Sequence, residues 1–85
     1  MKVLTEKAKR KPRVISEREI LYVEYVNRCR LVNKLSQENL AKLLGTSVFR
    51  INRIENYKSI YTLYEVVKLC EYFDLEIERF LKGEY

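Results

Sequence analysis

The chain has 85 residues, enough for one domain with a single small core. Apolar residues make up 47% of it, only two Gly and one Pro interrupt it, and no apolar run is long enough to cross a bilayer. With a net charge of +5, no His and two Cys far apart in sequence, it lacks the means for His-based acid/base catalysis or for zinc ligation. No enzymatic activity, cofactor, metal or membrane partner is therefore expected, and the 3.6-residue spacing of apolar clusters predicts an all-α fold.

Residues 1–15 are charged, poor in apolar groups and interrupted by Pro12, the pattern of a flexible basic arm. Six cations against one acid in residues 1–13 account for the whole excess charge. Lys7, Lys9, Arg10, Lys11 and Arg13 are the arm's candidates for contact with a polyanion; the plainer reading of such a tail is an aid to solubility. The N-terminal stretch has no apolar block of the kind a secretory signal needs. Cys29 and Cys70 lie in apolar helical contexts and read as buried free thiols, which suit a reducing cytoplasm.

Residues 16–85 read as one helical domain. Ser16 with Glu19 forms a capping box that opens a helix over about 17–33, with an inner face of Leu21 or Tyr22, Tyr25 or Val26, Cys29 and Val32. Ser36 caps a second helix, Gln37 to Leu44, whose Leu40, Ala41 and Leu44 face inward, and Gly45 ends it. Either Thr46 or Ser47 caps a third helix that runs to about Asn56. Residues 57–61 form a loop. Thr62 with Glu65 is another capping box, opening a helix from Leu63 to Phe73 with Leu63, Val66 or Val67, Cys70 and Phe73 inside; Asp74 breaks it. A short fifth helix over 76–81 contributes Ile77, Phe80 and Leu81.

The third helix carries the functional signal. Projected at helical spacing, Ile51 and Ile54 point inward with Ser47 and Glu55, while Phe49, Asn52, Arg53 and Asn56 point away and Val48 and Arg50 sit on the flanks. Phe49 either faces solvent or folds back onto another helix. Two short helices joined by a Gly turn, the second with a free polar and aromatic face, have the layout of a helix-turn-helix, which presents its second helix to the DNA major groove. Segment 34–58 carries five cations against two acids, and segment 65–79 five acids against two cations, so one end is basic and the other acidic.

The string Leu35-Ser36-Gln37-Glu38, then Leu40-Ala41, Leu44-Gly45, Ser47, Ile51, Arg53-Ile54-Glu55-Asn56 and Lys58, followed by Leu63, Lys68-Leu69 and Ile77…Phe80-Leu81, resembles the Cro/repressor-type helix-turn-helix family. The resemblance spans about residues 19–81. It implies a five-helix, phage-repressor-like DNA-binding domain. It implies base-reading positions at Val48, Phe49 and Arg53 with Arg50 and Asn52 beside them. It implies DNA-backbone contacts from Gln37, Ser47, Asn56 and Lys58, where the plainer role of Gln37 and Asn56 is helix capping. It also implies an ion pair between Arg30 and Glu55 that ties the first helix to the end of the third. Three departures stand out: Lys34, Tyr57 and Asp74 occupy places where the family usually has Gly. A left-handed Tyr57 costs about 1 kcal/mol, so either the loop differs or Asn56 takes that conformation. Val48 and Phe49 replace commoner polar readers; they can pack on thymine methyls, leaving Arg53 or Arg50 for guanine.

The expected function is that of a sequence-specific, double-stranded DNA-binding transcriptional regulator in the cytoplasm, a repressor of phage or mobile-element type. It would act as a homodimer on half-sites one helical turn apart, with Phe80, Leu81 and Tyr85 in the self-contact surface. The alternative is an antitoxin or other protein-interaction module on the same fold, with a regulatory protein as partner.

Overall fold

The computed structural model describes residues 15–85, so the basic arm with Lys7, Lys9, Arg10, Lys11 and Arg13 lies outside the described residues, Ile15 alone excepted. Among the described residues there are five helices and no strand: α1 Glu17–Val32, α2 Gln37–Leu44, α3 Val48–Glu55, α4 Leu63–Phe73 and α5 Ile77–Leu81. Each of the first four starts where a hydroxyl side chain accepts a hydrogen bond from a backbone N–H of the first turn. Ser16 serves Glu19, Ser36 serves Asn39, Ser47 serves Arg50 and Thr62 serves Glu65. Ser47, rather than Thr46, is thus the cap of α3.

The helix exits share one wiring. Leu35 N–H donates to Arg30 O, Thr46 to Ala41 O, Lys58 to Arg53 O, Leu75 to Cys70 O and Glu84 to Arg79 O. Each bond is the long closure of a Schellman motif, and each needs the preceding residue in the left-handed region. Those residues are Lys34, Gly45, Tyr57, Asp74 and Gly83, with φ of 59, 71, 62, 58 and 71°. The loop after α3 therefore keeps the geometry a Gly would give it. Tyr57 itself takes the strained conformation, and Asn56 stays at φ −99°.

The core draws on every helix: Val23 and Val26 from α1, Leu40, Ala41 and Leu44 from α2, Ile51 and Ile54 from α3, Val66, Leu69 and Cys70 from α4, Phe80 from α5, with Tyr61 from the loop. Of the pair Leu21 or Tyr22, Tyr22 packs against the core; three expected core residues are instead exposed, Val32, Leu63 and Ile77. In α1 the buried stripe runs through Val23 and Val26 to the largely buried Arg30, so it ends in a charge and the apolar pattern alone points to a neighbouring face. Leu63 occupies the first turn of α4, beside Tyr22 and Leu81 at the rim of a shallow cavity. Cys29 is only partly buried, Cys70 is buried, and both are free thiols.

The C-terminal segment docks on α1 through aromatic contacts. Tyr22 stacks on Phe80 at 5.0 Å between centroids, Tyr25 stacks on Tyr85 at 5.3 Å, and Tyr22 Oη donates to Leu81 O at 2.6 Å. Phe80 is therefore a core residue of this chain and not part of a self-contact surface. No helix among the described residues is long and apolar enough to cross a membrane.

Candidate nucleic-acid interface

α2 and α3 pack closely against each other across the Gly45 turn. Gly45 has open space where a side chain would begin, so its φ of 71° is the reason for glycine there. Ile51 and Ile54 are fully buried and set the rotation of α3. The opposite face then presents Val48, Phe49, Asn52 and Arg53 to solvent. Phe49 is 70% exposed and Val48 46%, so Phe49 does not fold back onto another helix.

Arg50, grouped with the readers in the sequence, turns the other way. Its Nε donates to Glu65 Oε2 at 3.0 Å and its Nη2 to Glu65 Oε1 at 2.7 Å and Ile60 O at 2.9 Å; Nη1 reaches Ser59 Oγ at 3.3 Å. The fork is filled from inside the protein, and the side chain keeps 28% exposure against 8% for Glu65. The same carboxylate accepts from Thr62 N–H at 2.8 Å, closing the capping box of α4. Burial alone would raise the Glu65 pKa, but the hydrogen bonds from Arg50 and Thr62, together with the Arg50 charge, outweigh it and hold it below the usual carboxylate range. A sequence signal for this pair exists: Glu65 shares the inner stripe of α4 with Val66 and Leu69, and a carboxylate there needs a cation.

A second fork holds the other end of α3. Arg30 Nε donates to Glu55 Oε2 at 2.8 Å and Arg30 Nη2 to Glu55 Oε1 at 3.1 Å. Arg30 also donates to Leu35 O and Asn27 Oδ1, at 2.8 and 3.2 Å. Gln37 Nε2 donates to Glu55 Oε1 at 2.8 Å, so one amide proton of Gln37 is engaged within the protein. α3 is thus tied at its start to α4 and at its end to α1 and α2. Among the described residues the buried Tyr61 hydroxyl has no hydrogen-bond partner, and it lies in the electrostatic field of both Arg–Glu pairs. Burial first, then Glu55 and Glu65, push its pKa up, so it stays a neutral phenol.

The remaining site residues line the exit of α3. Asn56 Nδ2 donates to Asn52 O at 2.8 Å, the bond of a helix cap. Arg53 Nη2 lies 3.3 Å from Lys58 O, and both residues are exposed. Tyr57 Oη donates to Glu24 Oε2 at 3.2 Å, which latches the strained turn to α1. Ile15 shares a shallow cavity with Lys58, Ser59 and Ile60. The described chain therefore begins beside the exit of α3. The structure brings Val48, Phe49, Asn52 and Arg53 onto one free face, with Ser47 at its start and Asn56 and Lys58 at its end. Gln37 stands half-buried beside Glu55.

The sequence model of the helix-turn-helix family matches residues 27–80, from the middle of α1 into α5. No curated protein matches the chain.

Proposed function

Because the chain belongs to the helix-turn-helix family, Cro/repressor type, we propose that this DNA-binding regulator is a sequence-specific repressor of phage or mobile-element type that reads the major groove with helix 47–56. The observation that carries this reading is the free face of α3, with Val48, Phe49, Asn52 and Arg53 exposed on a helix tied down at both ends. In this reading Arg53 and Asn52 supply directional contacts to base edges, and Val48 and Phe49 supply apolar contacts. Ser47, Asn56, Lys58 and the N-terminus of α2 at Gln37 fix the register on the phosphates. Arg50 acts as a support for α3 and not as a reader.

The domain is residues 16–85, and residues 1–15 form the arm. The start of the described chain at Ile15, beside Lys58 and Ser59, favours an arm that follows the same duplex, with Lys7, Lys9, Arg10, Lys11 and Arg13 on its phosphates. So short a reading helix covers few base pairs, so the working form is a homodimer on half-sites one turn of DNA apart, in the cytoplasm. Selection of the full chain against random duplexes at two salt concentrations tests the reading. A palindromic site whose affinity falls steeply with salt is the expected result, and no preference among duplexes overturns it.

The exposure of Phe49 also favours an antitoxin-like role in which the α3 face holds a regulatory protein. A stoichiometric partner retained on that face in high salt would decide for it.

A further inference from the structure

Resting on the DNA-reading role above, we infer that the first turn of α3 recognises the 5-methyl group of pyrimidines, so that the half-site is defined by thymines lying under Val48 and Phe49. The two side chains are consecutive, both exposed, and carry no hydrogen-bonding atom. They cannot read the donors and acceptors of base edges. The one apolar group a standard base pair offers in the major groove is the thymine methyl, and 5-methylcytosine offers the same group.

The surroundings of this apolar patch select the partner. Segment 34–58 carries a net +3, and four of its five cations, Lys34, Lys42, Arg53 and Lys58, are exposed. A polyanion with apolar groups on its inner edge matches that distribution. The engagement of Arg50 sharpens the assignment. With its fork on Glu65, Ser59 and Ile60, the first turn has no charged donor to aim at guanine. Directional reading passes to Asn52 and Arg53, one helical turn further on. A turn of about 5.4 Å is under two base-pair steps, so the guanine read by Arg53 lies roughly two positions from the methylated pyrimidines.

The experiment uses the full chain and the duplex obtained by random selection, prepared once with thymine and once with uracil, which removes the methyl and leaves the hydrogen-bonding pattern intact. Affinity should fall about fourfold for each contacted methyl removed, the factor that burying one carbon group of that size carries. Placing 5-methylcytosine at the same positions, against cytosine, should recover part of that loss. The exposed variants Phe49→Ala and Val48→Ser, checked for unchanged helicity, should bind the two duplexes more nearly alike. Equal affinity of the parent for thymine and uracil duplexes overturns the inference and leaves the DNA-reading role standing. A methyl effect that persists undiminished in both variants places it in the stiffness of the duplex and overturns it as well. Failure to select any duplex overturns the DNA-reading role, and this inference with it.

Discussion

Replacing Arg50 by Met should cost more stability than replacing its partner Glu65 by Gln, and the structure sets the size of the difference. In Arg50→Met the Glu65 carboxylate, 8% exposed, loses both of its hydrogen bonds from Arg50 and keeps the bond from Thr62 N–H. Stranding one member of a buried pair costs about 3–5 kcal/mol, and the 28% exposure on the Arg50 side admits water, so a value of about 3 kcal/mol is expected. In Glu65→Gln the amide oxygen still accepts from Thr62, because Gln completes a capping box as Glu does. Arg50 retains Ile60 O and Ser59 Oγ and has water on its open side. The loss is then about 1.5 kcal/mol, that of one charge-assisted hydrogen bond. Urea titrations followed by circular dichroism at neutral pH measure both, with the m-value confirming that the folded state is the same. Variants within half a kcal/mol of the parent, or the reverse order, would refute the argument. A duplex selection with Arg50→Met adds a second check. Base preference should be unchanged in pattern, and loss of preference at one position would return Arg50 to the readers.

The lowered pKa of Glu65 carries a sign. Its stabilisation is fully present above the unfolded value near 4.5 and is lost as pH falls through the lower folded value, so in acid the parent should lose stability more steeply than Glu65→Gln; parallel pH profiles would count against it. Arg53→Ala should cost about 1–3 kcal/mol of binding and relax preference at one base position, read by competition among single-base variants of the selected site. Deleting residues 1–13 should weaken binding to all duplexes and flatten the dependence of affinity on salt; an unchanged slope removes the arm from the interface. Lys34→Gly should raise stability by about 1 kcal/mol, because the exposed Lys holds φ 59° at an exit where only its backbone is needed, and a thermal melt reads the gain.

How much of this was legible beforehand follows from the range of the interactions concerned. Helix starts were, because a capping hydroxyl and its target lie three residues apart, as Ser16 with Glu19 and Thr62 with Glu65 show. The face of α3 was, because Ile51 and Ile54 leave it one way to turn. On α1, Tyr22, Tyr25 and Val26 were legible, but Val23 was missed and Val32 misplaced, because the buried stripe ends in Arg30, whose counter-charge Glu55 is 25 residues away. Leu63 was misread because the first turn of a helix takes its exposure from whatever packs beside it. The direction of Arg50 was open, because a flank residue goes where its carboxylate is, and Glu65 lies in another helix. Tyr57 was misread for a local reason: the sequence pointed to a different loop or to Asn56, yet Tyr57 takes the left-handed turn. Its strained conformation follows from the wiring of the helix exit, which imposes the left-handed turn whatever side chain stands there.

Two forks holding α3 from opposite sides make it a beam clamped at both supports. In the proposed DNA-reading role, such a beam has little freedom to roll or slide when the groove before it is poorly shaped. The work of accommodation then falls on the nucleic acid, and sequences that bend or twist cheaply gain an advantage even at base pairs no side chain touches. Loosening either clamp would shift part of that adjustment back to the protein and blur the discrimination between one duplex and the next.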